Sequence, residues 1–599
     1  MDYLFEISSE AGRKIGGIYT VLRSKSAYMK KHFGDNYTLI GYYEMKRVEN
    51  EFEPSEAPRE LAKMFSELSL EGINCFYGNW IKGSNTNLIL VDAKKFGERL
   101  VQFKDGHMDK EINFIKFFLW EKFGIDSLGV DSDFTEYVTW AYAAGMLLER
   151  ISKLRSMQDK KILAHFHEWL SGAGLLYLKA MDANVATIFT THATTLGRTM
   201  SFSGRDTLLE AYNSRGRTID SGEAYRYAVQ AKHLLEVACA KNADVFTTVS
   251  DTVSIECEYI LGKKPDVVTL NGFDFAFFEE KLKKDKLAKY VRQELLQFLE
   301  SYFMPYYIQS YKDAIILYIS GRYEFTNKGF DILIGALGKL NKRVQGMERR
   351  LFAFIFAPSN IRGPKPFVIS NYLLIDKIEE MLTHAGFKRE GKNLQETLKN
   401  VDEDIALNIR EMVKNMKKIG EKPPISCFEL DYPEENDSII SACIANGLTN
   451  SKNDAVKVIF YPAYLTPGDG LLSMTYYDLI GGTDVGVFPS RYEPFGLTPV
   501  EAGSKENIAI TSDMTGFGRF IMDKVENGCG IKVIRMLGRS YEDATNELAD
   551  YLFEIYKMPA QELERIKKRA FETMRIVDWK YMVPLYLDAY KLAIRRKYG

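Results

Sequence analysis

Short, continuously apolar runs rich in β-branched and aromatic residues recur along the chain, each followed by a longer stretch with helical spacing. In the first half they are LFEIS (4–8), TLIGYY (38–43), LILVDA (88–93), ILAHFH (162–167), VATIFTTH (185–192), VFTTVS (245–250) and VVTLNG (267–272). Most end at Gly, Asp, Ser or His, and a strand apolar at every position is one covered on both faces. Between them lie stretches such as the amphipathic EYVTWAYAAGMLLERISKL. This alternation predicts a doubly wound α/β unit built on a parallel sheet.

The series then restarts with AIILYIS (314–320), LFAFIFAP (351–358), VKVIFYPAY (456–464), VGVFPS (485–490), IAITSD (508–513) and GIKVI (530–534). A second α/β unit is expected, the two facing one another across a cleft with their ligand edges at the carboxyl ends of the strands. Segments 275–305 and about 368–420 are charged and helix-forming. Their spacing leaves open whether they are partner helices or solvated helices packed on their own unit.

Composition narrows the class. At 599 residues the chain exceeds one ordinary core. A formal net charge of −2 argues against a surface built for nucleic acid or an anionic membrane. No apolar run approaches the ~18 residues of a membrane span. Six cysteines (75, 239, 257, 427, 443, 529) show no C-x-x-C spacing. They suggest reduced thiols in a cytoplasmic protein. The first residues read as a strand and not as a signal peptide.

Several motifs could carry chemistry. In RKIGGIYTVL (13–22), Gly16 and Gly17 at a strand-to-helix turn would bring backbone N–H groups to an anion, with Lys14 adding charge; a plain tight turn is the simpler reading. His165 and His167 have H-x-H spacing, but no further His or Cys lies nearby, so no metal site is expected. His192 ends its strand, where an α/β sheet presents ligand-facing groups. In SGRYEFTNKGF (320–330), Arg322 and Lys328 offer two cations suited to a diphosphate. RYEPFGLTPVEAG (491–503) holds Glu493 on a Pro-Phe-Gly turn. It also holds Thr-Pro-Val-Glu, a capping box in which Glu501 reaches back to the N–H of Thr498. There is no G-x-x-x-x-G-K-[ST] phosphate loop. Asp131-Ser132-Asp133 resembles a metal-binding D-x-D but precedes a helix, where capping is the better account.

In chain order, K-x-G-G, AHFHEWLSG, TTHAT, NGFD (271–274), GRYEFTNKG and E-P-F-G-L-T-P-V-E together resemble the glycogen synthases of the animal and fungal type, from FEISSEAGRKIGGIYTVLRSK to VDWKYMVPLYLDAYKLAIRRKYG. Those enzymes are retaining glycosyltransferases of the GT-B fold, with two Rossmann-like domains. The resemblance implies domains 1–265 and 266–577, with the last helix, 578–599, packing back on the first. It implies glucose transfer from a nucleotide sugar, usually UDP-glucose, to the nonreducing end of glycogen or another α-1,4-glucan, with the α configuration retained. UDP- and ADP-glucose are not separated by these residues. No cofactor or metal beyond the donor is implied.

Carried over by motif, Arg322 and Lys328 would hold the diphosphate, and Lys14, Gly16 and Gly17 would cradle phosphate and glucose. His192 would sit beside the donor glucose and Glu493 would contact it. Glu501 would meet the ribose, Tyr476 would stack on the base, and Arg198, Asn271 and Thr498 would complete the site. Two carboxylates in a retaining glycosidase stand about 5–5.5 Å apart, a spacing that Glu493 and Glu501 have no reason to adopt. Front-face transfer, aided by the leaving phosphate, is the expected mechanism.

Departures from the family pattern also matter. On the resemblance, no counterpart of the phosphorylated extensions of animal and fungal enzymes is expected here. The arginine-dense segment that senses glucose 6-phosphate in those relatives reads LERIKKRAFETMRIVDW (563–579), and Asp484 replaces a histidine of that effector site. The expectation is an enzyme active without the effector. The insertions match the region through which relatives form tetramers, so a homotetramer is expected. Another GT-B glucosyltransferase, a glucan phosphorylase and an inactive glycan-binding scaffold remain the alternatives.

Overall fold

Eleven strands build the first unit: β1 (Tyr3–Ile7), β2 (Tyr37–Tyr42), β3 (Phe52–Pro54), β4 (Asn74–Trp80), β5 (Thr86–Asp92), β6 (Leu100–Gln102), β7 (Met108–Lys110), β8 (Ile162–His167), β9 (Ala186–Thr191), β10 (Val245–Thr248) and β11 (Val267–Val268). Nine of them form one sheet in the order β11-β10-β9-β8-β1-β2-β5-β4-β3, and β6 and β7 make a separate hairpin. Neighbours from β11 to β5 are parallel, while β4 and β3 add an antiparallel edge. The chain runs outward from β1 to one side, returns beside it at β8 and runs outward to the other. The topological switch therefore lies at the carboxyl ends of β1 and β8, where such sheets bind ligands. The computed structural model describes residues 2–276, 286–387, 389, 394–526 and 528–599.

In the second unit β12 (Ile315–Ser320), β13 (Leu351–Phe356), β14 (Ile361–Pro364), β15 (Phe428–Leu430), β16 (Val456–Tyr461), β17 (Val485–Phe488), β18 (Ile508–Ser512) and β19 (Ile531–Ile534) follow. Six make an all-parallel sheet, β16-β13-β12-β17-β18-β19, switching between β12 and β17. The strands β12, β13, β16, β17 and β18 are almost wholly buried, as continuous apolar runs require.

The units comprise Met1–Asp274 with Ile576–Gly599, and Phe275–Arg575. The first break thus falls nine residues beyond 265, because β11 still pairs with β10 and Phe273 bridges to Asp578. The helix Trp579–Tyr598 lies on β8, β9 and β10 and against the helix Gly17–Phe33. Gly272 lets Trp579 approach: a Cβ there would stand 2.4 Å from the indole.

The insertions form helices packed on their own unit. Residues 277–285 of the first lie outside the described residues, as do 388 and 390–393 of the second. Helices Pro366–His384, Leu394–Leu398 and Glu403–Lys414 share a small core of Ile375, Ile378, Leu382, Leu394, Leu398, Ala406 and Ile409. Among the described residues no helix is long and apolar enough to cross a membrane.

Beneath the first switch point lies a buried charge. Glu6, on β1, has no exposure to solvent and pairs with the equally buried Lys25 of the helix Gly17–Phe33. It also accepts from Tyr37 at 2.5 Å and contacts His167 at 2.7 Å. Lys25→Met leaves Glu6 uncompensated and is expected to lower the stability of this unit by about 3–5 kcal/mol. All five tryptophans (Trp80, Trp120, Trp140, Trp169, Trp579) lie in that unit, so denaturation followed by tryptophan fluorescence reads it separately. A loss below about 1 kcal/mol, the scale of an exposed pair, would contradict the role given to Lys25.

Candidate active site

In the first unit a chain of contacts runs from Lys25 through Glu6 and His167 to His192. The Nε2 of His167 meets Glu6 at 2.7 Å, and its Nδ1 meets the Nε2 of His192 at 3.0 Å. Burial alone would raise the Glu6 carboxyl, but Lys25 and the His167 and His165 rings outweigh it and hold it well below the usual carboxylate range. An ionised Glu6 can only accept, so His167 carries its proton on Nε2 and offers Nδ1 as an acceptor. His192 must then donate from Nε2, which leaves its Nδ1 as a lone pair with no partner among the described residues. Burial, reinforced by His167, Lys25 and Arg198, holds His192 well below the ordinary histidine range, so the ring is neutral.

Glu6, His165 and His167 have ligand atoms close enough to hold a metal. The ring nitrogens are engaged by protein, however: His165 contacts Tyr590 at 3.2 Å and Thr190 at 2.6 Å, and both nitrogens of His167 are used as above. The cation beside Glu6 is Lys25.

Three buried glutamates hold the turn after β9. Glu168 accepts from the N–H groups of His192 (2.9 Å) and Ala193 (3.2 Å), Glu256 from Thr194 (2.9 Å), and Glu236 from Thr195 (3.1 Å). Four successive backbone donors are thus taken by carboxylates, which sets where the His192 ring stands. Glu168 itself sits at φ +63°, a left-handed conformation that is costly outside glycine. Burial raises its carboxyl to about 7, with Arg198 and the backbone donors acting the other way.

The remaining first-unit candidates gather at the same sheet edge. Lys14, Gly16 and Gly17 are exposed at the start of the helix Gly17–Phe33. Gly16 differs from its expected role as an open anion cradle: its N–H, at 3.0 Å, and that of Tyr19, at 2.8 Å, are given to Glu10. A Cβ on Gly17 would meet nothing within 4 Å, so that position is open. Arg198 is exposed on the helix Thr195–Phe202. Asn271, after β11, is buried with its Oδ1 unpartnered. Asp131 caps the helix Ser132–Ser152, accepting from Phe134 at 2.8 Å, so the D-x-D resemblance is local capping.

The second unit assembles its candidates after β12 and β17. Lys328 pairs with Glu493, joining the two loops. Arg491 reinforces the join with a two-pronged bridge to Asp331 at 2.7 and 2.8 Å. Gly329, at φ +74°, makes the approach possible, since a Cβ there would lie 2.0 Å from the carbonyl of Pro489. Arg322 projects into solvent, 71% exposed, with Glu324 at 2.9 Å.

The capping box does not form. The helix Thr498–Gly503 has no side-chain cap, and Glu501 is buried where it accepts from the Tyr477 hydroxyl at 2.7 Å. Burial raises its carboxyl, against the bonding of Tyr477 and Tyr476. Sequence pattern favoured a reach to Thr498, but Tyr477, on the short helix Tyr476–Leu479 ahead of β17, offers a better-placed donor. Thr498 keeps a hydroxyl with no partner among the described residues. Tyr476 lines a pocket with Ser320, Gly321, Arg322, Phe356 and Tyr464, and Tyr464 stands 76% exposed at its side.

Both sets therefore lie at the carboxyl edge of a Rossmann-like sheet, the first spread from β1 to β11 and the second around the β12–β17 switch point. A family model described as glycogen synthase matches residues 6–599. The chain belongs to the glycogen synthase family. It is similar to glycogen [starch] synthase isoform 1 of Saccharomyces cerevisiae, 29% identical with 99% of this chain and 86% of the relative covered. Similarity to the Neurospora crassa glycogen [starch] synthase is 30%, over 99% and 84%, and to the rat liver enzyme 27%, over 99% and 84%. The N-terminal domain of Candida albicans trehalose-6-phosphate phosphatase shares the fold, with a TM-score of 0.50 at 12% identity over 98% of this chain and 96% of that one. As a member of the glycogen synthase family the chain is a glycosyltransferase of the GT-B fold class.

Sequence reasoning missed Glu168, Glu236, Glu256, Glu10 and Tyr464. An acid directly after an apolar strand at the switch point was the available signal for Glu168. Glu236 and Glu256 act through contacts 41 and 62 residues apart and Tyr464 through exposure, which no local pattern records, while Glu10 reaches N–H groups only 6 and 9 residues on.

Glu168 gives a pH test. Its folded pKa is raised from 4.5 to about 7, so its contribution is fully present below about 4.5 and lost as pH rises through about 7. Glu168→Gln keeps an acceptor without the charge. It is expected to remove about 3 kcal/mol of that pH-dependent loss, read by tryptophan-detected denaturation across the window. An unchanged stability–pH slope would contradict it.

Proposed function

We propose that the chain transfers glucose from UDP-glucose to the nonreducing end of an α-1,4-glucan such as glycogen, retaining the anomeric configuration. The observation that carries this reading is the Lys328–Glu493 pair, which brings a cation and a carboxylate together at the second switch point. The names of the yeast and Neurospora relatives support a glucan product.

Arg322 and Lys328 stabilise the diphosphate as the glycosyl–oxygen bond breaks and its electron pair moves to the leaving oxygen. The acceptor hydroxyl bonds to the same face of the anomeric carbon and passes its proton to that phosphate oxygen. Glu493 contacts the glucose and releases Lys328 toward the phosphate. Neutral His192 accepts from a glucose hydroxyl through Nδ1, and Asn271 adds an acceptor. Glu501 and Thr498 meet the ribose, with Tyr476 and Tyr464 against the base. Lys14, Gly17 and Arg198 supply the remaining phosphate-side contacts.

Asp484 supports activity without glucose 6-phosphate. It is buried between Arg292, at 2.8 Å, and Lys567 of the helix Ala560–Met574, at 3.0 Å, and accepts from the Ile316 N–H at 2.8 Å. Burial opposes its charge, but the two cations hold the carboxyl down at about 2, so it neutralises them across the ordinary pH range. A phosphate would have to displace a carboxylate already in place. Leu373 and Leu407, 60% and 52% exposed on the insertion helices, support a homotetramer. Six unpaired cysteines support a cytoplasmic location.

A glycogen-extension assay with UDP- and ADP-glucose, with and without glucose 6-phosphate, tests the reading. UDP-glucose is expected to be the better donor, and the effector to raise the rate less than about tenfold. Glu493→Ala and Lys328→Ala are each expected to lower kcat by about 10²–10³. Glu501→Ala is expected to act chiefly on the donor KM. Phosphate-dependent release of glucose 1-phosphate without extension would overturn the synthase assignment.

A further inference from the structure

A cavity of about 280 Å³ opens in the second unit, where the helix Lys286–Phe303 and the loop after it meet the helices Leu394–Leu398 and Glu403–Lys414. None of its walls comes from the loops after β12 or β17, so it is separate from the groups assigned to transfer. Met304, Tyr307, Tyr311, Leu398 and Val413 make it predominantly apolar.

Two observations mark it as more than a packing gap. Gln309 lines it while only 8% exposed, and its Oε1 has no hydrogen-bond partner, although its Nε2 reaches Tyr311 at 3.4 Å. A buried amide oxygen left unpaired is costly and calls for a donor from whatever fills the space. Arg410 and Lys414, one helical turn apart, both line the cavity and make no ion pair among the described residues. Both are exposed, and like charges at that spacing repel weakly, a repulsion that a bridging anion would relieve.

We propose that this cavity binds a small amphiphilic anion. Its apolar ring or short chain lies against Tyr307, Tyr311 and Leu398, a hydroxyl or N–H donates to Gln309, and a carboxylate or phosphate rests on Arg410 and Lys414. Apolar walls with a few convergent polar groups are the ordinary make-up of a small-molecule site.

The test is calorimetric titration of the full chain with 4-hydroxyphenylacetate, 4-hydroxyphenyl phosphate and neutral 4-ethylphenol. At least one anion is expected to bind saturably, once per chain and about tenfold or more tighter than the phenol, and the stronger of the two identifies the head group. Arg410→Ala with Lys414→Ala should remove that preference. Gln309→Leu should weaken 4-hydroxyphenylacetate but not phenylacetate. Val413→Trp fills the space and should abolish binding while glucan transfer and circular dichroism stay unchanged. Absence of binding of both anions to an active chain would overturn the proposal, as would equal binding by the Val413→Trp variant. So would a change in sedimentation mass in that variant without any wild-type binding, which would mean that a second copy covers the cavity.

Discussion

A carboxylate sealed from water at the centre of the first sheet organises that unit. Glu6 stays ionised only because Lys25, His167 and Tyr37 converge on it, and each comes from a different element: the first helix, β8 and β2. The Lys25 ammonium also lies 4.4 Å from the centre of the Tyr586 ring, on the last helix of the chain. One buried charge therefore ties the first strand to a helix more than 550 residues away in sequence. The same charge fixes the tautomer of His167 and, through it, the lone pair that His192 presents. Stability and the chemical state of the site have a common origin.

The second unit is organised at its edge. Lys328–Glu493 and Arg491–Asp331 bridge the loops that leave β12 and β17, and Gly329 lets the backbones come into contact. These pairs are only partly screened from water, so they contribute more to geometry than to stability. A side chain at 329 would separate Lys328 from Glu493 without touching either.

The strands of both sheets were legible because they are continuously apolar, and all thirteen runs read as strands appear. The antiparallel edge was not: NCFYGNW and FEP mix polar and aromatic residues, since an edge strand need not be buried on both sides. The candidates drawn from Gly-rich and charged motifs do gather at the carboxyl edges of the two sheets, because strand ends carry them there. The role of Glu501 was misread because its local spacing matched a capping box, while the donor that captures it lies 24 residues earlier in sequence. The carboxylates around the His192 turn escaped notice for the same reason. They sit on helices whose own patterns are ordinary, and only tertiary packing aims them at one backbone.

Glu10 occupies the start of the helix Gly17–Phe33 as an anion would, taking the N–H groups of Gly16 and Tyr19. An incoming phosphate does not meet a vacant positive dipole there; it meets an internal competitor of the same sign and geometry. Occupancy is then an exchange of one oxyanion for another, and the electrostatic gain is the difference between them. A small free anion gains little from such an exchange. A ligand that brings sugar and base contacts elsewhere can drive it, so on the proposed reading the turn would favour a whole nucleotide sugar over its fragments.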